Sequence, residues 1–192
     1  MFTVASSGDV EHFGDYQNGL GFAMPIWTYL AEKYLRKPGE KDHEFFGRWW
    51  IQDNCRGVWA LENDKRMERF ERVVLLASFD RVIVRAENFK ELAAAFDKFH
   101  DLYLEKKPQN VCHYRAMGRE IEKMEDVLGV CWVATSVGEN LWTVYEDCEC
   151  PKCKNVHQQE EPRPYNINID NKHWFLFEEL EKWETAQKEK SP

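Results

Sequence analysis

A chain of 192 residues, 43% of them apolar and 14% aromatic, suits one domain with a sizeable core. Its net charge of −8 argues against a broad basic footprint on a phosphate backbone, so direct nucleic-acid binding is not expected, although net charge does not report a local patch. No apolar run approaches the length of a membrane span, and residues 1–7 lack both the basic start and the apolar stretch of a signal peptide. A cytoplasmic protein with no membrane partner is therefore expected, its six cysteines serving as thiols or metal ligands rather than disulfides.

In chain order, residues 2–5 read as a short strand and residues 14–21 (GDYQNGLG) as a glycine-bearing loop. A helix should follow, with Phe22, Ile26, Leu30 and Tyr34 on one face and Trp27 and Ala31 beside it. Pro25 fits its first turn and Pro38-Gly39 its end. Residues 42–51 form a second, short helix that pairs Phe45 with Trp49 and Phe46 with Trp50. Residues 61–71 are polar and read as an exposed helix. The period then changes. Residues 73–79 and 82–85 are rich in β-branched side chains and read as strand, with Asp80-Arg81 either a turn or an exposed step within one long strand.

The clearest helix spans residues 89–104, where Phe89, Leu92, Phe96, Phe99 and Tyr103 alternate three- and four-residue steps. Asn88 and Glu91 have capping-box spacing. A further helix over residues 114–128 aligns Met117, Ile121, Met124 and Leu128, with Gly129 as its C-cap. Residues 130–137 and 141–146 then form a hairpin across Gly138-Glu139-Asn140. Residues 160–164 read as a polar connector, residues 165–169 as an edge strand, and residues 174–183 as a final helix with a fraying charged end after residue 184. Strands and helices cluster without strict alternation. The expected class is α+β, a single domain over residues 1–192 in which a small antiparallel or mixed sheet is packed by several amphipathic helices.

The densest chemical signal is Cys148-Glu149-Cys150-Pro151-Lys152-Cys153, followed by His157. Two cysteines separated by two residues can turn around one tetrahedral ion, and the proline favours the tight turn. Cys148 lies two residues before Cys150, the spacing that puts both on one side of an extended segment. Cys148, Cys150, Cys153 and His157 together complete a Cys3His set, giving a metal-binding loop over residues 146–160. The C-P-x-C step resembles half of a zinc knuckle or zinc ribbon; a second C-x-x-C is missing. Cys112, His113 or Cys131 remain alternative ligands. Four protein ligands imply a structural zinc, whereas a three-ligand version would leave a water position beside Glu146 or Glu149.

Other groupings carry less. Asp9, Glu11, His12 and Asp15 read as a solvated acidic loop before they read as an acid/base or metal site. Gly19-Leu20-Gly21 ahead of a helix offers backbone N–H groups to a phosphate, yet the dinucleotide pattern lacks its third glycine and no Walker A sequence is present. Ser78 lacks the glycines of a nucleophile elbow. His43 belongs to no H-E-x-x-H, because Gly47 holds the second position. His100 and His113 read as surface or packing residues. Lys65, Arg66, Arg69 and Arg72, interleaved with Glu62, Glu68 and Glu71, read as an ion-paired solvated face.

The sequence therefore points first to a protein-binding module, an inhibitor or adaptor stabilised by a structural zinc. Its partner would be another protein, in one version a nucleic-acid-binding one that meets carboxylates in place of phosphates. Trp49, Trp50, Trp59 and Trp142 are its candidate anchors. The alternatives are a small metal-assisted hydrolase or nucleic-acid-processing enzyme using the same cysteines, and a nucleotide-binding enzyme using residues 14–21.

Overall fold

In the computed structural model, the described residues are 1–5, 10–12, 20–49, 57–79, 82–106, 113–132, 143–149, 156–162 and 174–189. They form strands β1 (Phe2–Ala5), β2 (Val10–His12), β3 (Val82–Arg85), β4 (Val127–Trp132), β5 (Thr143–Glu149), β6 (Val156–Pro162) and β7 (Trp174–Phe175). The helices are α1 (Leu20–Tyr34), α2 (Asp42–Trp49), α3 (Arg69–Ala77), α4 (Phe89–Lys106), α5 (Tyr114–Glu122) and α6 (Leu176–Glu189). The α+β class holds. A five-stranded mixed sheet runs in the order β2-β1-β4-β3-β7, and β5 and β6 form a separate two-stranded ribbon.

β4 lies inside the main sheet because both of its edges are occupied. Val130 opposes Thr3 on one side and Val84 on the other; Cys131 opposes Phe2 and Ile83. These residues of β4 have no edge left for β5, so the hairpin expected between residues 130–137 and 141–146 does not form among the described residues. β5 pairs with β6 instead, and residues 160–162 of the polar connector expected over residues 160–164 are strand, with residues 163–164 outside the described residues. Val82 is flanked by Trp132 of β4 and, in parallel, by Trp174 of β7, so the chain leaves and re-enters the sheet on either side of β3. Residues 165–169, expected as an edge strand, lie outside the described residues.

Strand alternation gives the sheet two faces. Val82, Val84, Val130 and Trp132 pack into the helical core, whereas Val4, Ile83 and Cys131 are buried apart from that cluster. The helical side is built around α3. Residues 73–79 were expected as strand, but α3 covers residues 69–77, and every residue from Glu71 to Ser78 is buried. A short apolar run buried on all sides carries no periodicity that separates helix from strand. The start of α3 is set by Glu71, whose carboxylate accepts a hydrogen bond of 3.0 Å from the Glu68 backbone N–H. The preceding polar stretch is not one exposed helix. It is a short 3₁₀ helix, Val58–Asn63, followed by turns.

Helix α4 keeps the expected face, with Phe89, Leu92, Phe96, Phe99 and Tyr103 all buried. α5 ends at Glu122, earlier than its pattern suggested. Asp126 adopts a left-handed φ of 58° and β4 begins at Val127, so Gly129 is a strand residue opposite Val4 and Arg85 rather than a helix cap. In α1, Ile26, Leu30 and Ala31 are buried as expected, but Pro25 lies inside the helix rather than in its first turn. α6 continues to Glu189, past the point where fraying was expected, with Leu176, Phe177 and Leu180 buried.

α4 and α5 approach closely at Gly118. A Cβ there would sit 3.0 Å from the Ala93 Cα and 3.3 Å from the Phe96 ring. Gly118→Val should force the helices apart and lower stability by about 1–3 kcal/mol despite valine's better helix propensity than glycine, measured as a lower urea midpoint with an unchanged slope.

Candidate functional site

The cysteine-bearing stretch occupies the ribbon. β5 and β6 are antiparallel and pair from Thr143↔Pro162 to Glu149↔Val156, with Cys148 directly opposite His157. Directly opposed positions in an antiparallel pair have Cα atoms about 4.5–5.5 Å apart. Two members of the expected ligand set thus share a register position. Cys150 and Cys153 belong to the connection between the strands and lie outside the described residues, as does Cys112. Cys131 is buried in β4, and His113 is exposed just before α5. Among the described residues, no group of three or more His, Cys, Asp or Glu side chains gathers around a metal position.

A second concentration of chemistry was not expected. Glu71 and Arg72, neighbours on α3, are 0% and 2% exposed. Unlike charges buried side by side need separate partners, and each finds its own. The Glu71 carboxylate accepts from Lys33 Nζ at 2.6 Å and from the Tyr34 hydroxyl, both on α1. Burial works against the Lys33 ammonium, but its hydrogen bonds to Glu71 and Tyr34 outweigh that and raise its pKa. Burial, reinforced by the hydrogen bond to Glu71, pushes the Tyr34 hydroxyl up to about 12.

Arg72 turns toward the other side. Its guanidinium donates to the backbone carbonyls of Glu62 and, at 2.8 Å, Asp64, and its Cζ lies 3.4 Å from the ring centroid of Trp183 on α6. Burial lowers its pKa. A cavity of about 160 Å³ opens beside this contact, lined by Glu62, Arg72, Leu76, Glu179 and Trp183. Burial also pushes the Glu62 carboxyl up. The sequence signal for this pair was the Glu68/Glu71 spacing at a helix start, masked by the reading of the segment as exposed.

The remaining candidates resolve individually. Arg66 pairs with Asp64, and Arg69 reaches both Glu91 and Glu184 at 2.6 Å, so these two fit the ion-paired face that Arg72 does not join. Ser78 Oγ accepts from Trp27 Nε1 at 2.8 Å and donates to the Leu75 carbonyl at 2.5 Å, a structural role. His43 is exposed on α2 and His100 half-buried on α4. Glu11 and His12 lie in β2 and Gly21 in α1, while Asp9, Asp15, residues 14–19 and Asp80 lie outside the described residues. The side chains of Trp49 and Trp59, with Trp50 and Trp142 entire, are likewise outside them. No helix among the described residues is long and apolar enough to cross a membrane. Comparison with protein-family models, curated proteins and solved structures finds no match to this chain.

Two outcomes follow from the buried pair. Glu71→Ala strips α3 of its start and leaves Lys33 and Tyr34 without their acceptor; a loss of about 3 kcal/mol is expected in urea unfolding, discounted from the fully buried range because Lys33 reaches solvent. The folded-state pKa values of Lys33 and Tyr34 are raised, so their contribution is complete below the unfolded values near 10 and is lost as pH rises toward 12. The urea midpoint should fall between pH 10 and 12, and Tyr34→Phe should flatten that fall.

Proposed function

We propose that this chain is a protein-binding module, an inhibitor or adaptor, whose β5–β6 ribbon is closed by a structural zinc held by Cys148, Cys150, Cys153 and His157. The observation that carries the reading is the register, which opposes Cys148 to His157 with Cys150 and Cys153 in the sequence between the strands. Thiolate and imidazole are the donors zinc prefers, and four of them leave no position for a reactive water. That favours a scaffold over a metal-assisted hydrolase.

The kind of partner is suggested by charge. Glu146, Asp147, Glu149, Glu160 and Glu161 all occupy paired positions of the ribbon, and no lysine or arginine does. Strand alternation divides them, with Glu146 and Glu161 at positions of one face and Asp147, Glu149 and Glu160 at positions of the other, and carboxylates at this density complement a basic protein surface, including one that otherwise holds nucleic acid, and repel nucleic acid itself. A partner held this way should dissociate as salt rises.

Elemental analysis of the purified protein should return one zinc per chain. Cys148→Ser, Cys150→Ser, Cys153→Ser and His157→Gln should each weaken retention of the metal, typically by tenfold or more, under a fixed chelator challenge. Metal-replete protein that contains no zinc, or zinc that persists in all four variants, overturns the assignment.

A further inference from the structure

The cavity beside Arg72 carries charges that the fold answers only in part. Arg72 is 2% exposed, and its guanidinium donates two hydrogen bonds, both to backbone carbonyls, those of Glu62 and Asp64. A guanidinium offers five N–H groups and a full positive charge. The carbonyls and the Trp183 ring, 3.4 Å from Cζ, stabilise that charge without neutralising it. The neighbouring carboxylates are engaged elsewhere. Asp64 pairs with Arg66, Glu184 with Arg69 and Glu179 with Lys182, while Glu62 accepts from the Asn63 side-chain amide. Burial lowers the Arg72 pKa, and Asp64, Glu184 and Glu62 only partly offset it. Among the described residues, the buried cation therefore has no carboxylate in ion-pair contact.

The opposite charge stands on the same cavity. Glu62 and Glu179 line it with Arg72, and Leu76, Leu180 and the Trp183 indole supply an apolar wall. Burial pushes the Glu62 carboxyl up, and repulsion from Glu179 adds to that. A simple anion would be drawn by Arg72 and repelled by the two glutamates; a simple cation would meet the reverse. A molecule that carries a carboxylate and an ammonium together avoids both conflicts. Volume limits it further. A cavity of about 150 Å³ accepts benzene, so about 160 Å³ suits a molecule of about six to eight non-hydrogen atoms.

We propose that this cavity, between the 3₁₀ helix, α3 and α6, binds a small free α-amino acid with an apolar side chain. Its carboxylate meets Arg72, its ammonium meets Glu62 and Glu179, and its side chain packs on Leu76 and Leu180. Charge-assisted bonds at both ends give the selectivity, and the apolar wall limits the side chain. The site is independent of the ribbon and of any metal there.

The test uses the full chain, labelled with nitrogen-15, and L-valine as the probe. The Trp183 Nε1–H is buried with no acceptor among the described residues, so its resonance is the reporter, assigned by its disappearance in Trp183→Phe. The Nε1–H groups of Trp27 and Trp132, bonded to Ser78 and the Ala77 carbonyl, are internal controls. Millimolar L-valine should move the Trp183 resonance saturably and leave the controls in place. Isovalerate, which lacks the ammonium, and isobutylamine, which lacks the carboxylate, should each bind at least about tenfold more weakly. Glu62→Gln should weaken L-valine by about tenfold without weakening isovalerate, and Glu179→Gln, on the exposed rim, should act in the same direction without disturbing the core. A Trp183 resonance that L-valine does not move overturns the site. Isovalerate or isobutylamine binding as tightly as L-valine overturns the assignment of a doubly charged ligand. A glutamate variant that keeps the parent's urea midpoint and its affinity for L-valine overturns the place given to the ammonium.

Discussion

Two opposite charges on consecutive residues of the most buried helix organise this protein. Glu71 and Arg72 leave α3 in different directions, and neither pairs with the other. Glu71 binds the C-terminal turn of α1 through Lys33 and Tyr34, while Arg72 binds the backbone around Glu62 and Asp64 and the indole of Trp183 on α6. A buried ion left without a partner is strongly unfavourable, so the two side chains together restrict how α1, the 3₁₀ segment and α6 can surround α3. Apolar packing supplies most of the driving force for such a core, but it is tolerant of small shifts. These directional bonds are not.

The same helix shows where sequence reading succeeds and where it stops. α1 and α4 are amphipathic, so their buried residues return at helical spacing and announce themselves. α3 has no solvent face over residues 71–78, so its β-branched run Val73-Val74 looked like strand. α5 failed for a different reason. Met117, Ile121, Met124 and Leu128 keep the helical step, yet Leu128 is exposed and the chain has already turned at Asp126 to enter β4. Local periodicity could not register that β1 and β3 would each claim an edge of β4. Strand partners are chosen by distant sequence: β4 pairs with β1 and β3, and β5 with β6, while the turn expected at residues 138–140 lies outside the described residues.

The candidate site was partly legible because ligand chemistry is local. Cys148 and His157 stood out by type and spacing alone. Their cross-strand opposition was not foreseeable, since the reading placed the cysteines beyond a hairpin rather than within one. The main sheet contributes buried apolar side chains from β1, β3 and β4, whereas the paired positions of the ribbon carry five acidic residues and no lysine or arginine.

Val82 opposes both Trp132 and Trp174, so the chain departs from one neighbour of β3 and returns on the other. Adjacent strands are about 4.8 Å apart, which puts the exit and the re-entry roughly 10 Å from each other. An excursion with ends that close imposes almost no geometric demand on its host, because closure depends only weakly on how many residues intervene. Residues 133–173 can therefore lengthen, shorten or be exchanged over evolutionary time without shifting the register of the strands that bracket them. New binding surfaces could arise there while the helical core, with its paired charges, stays as it is.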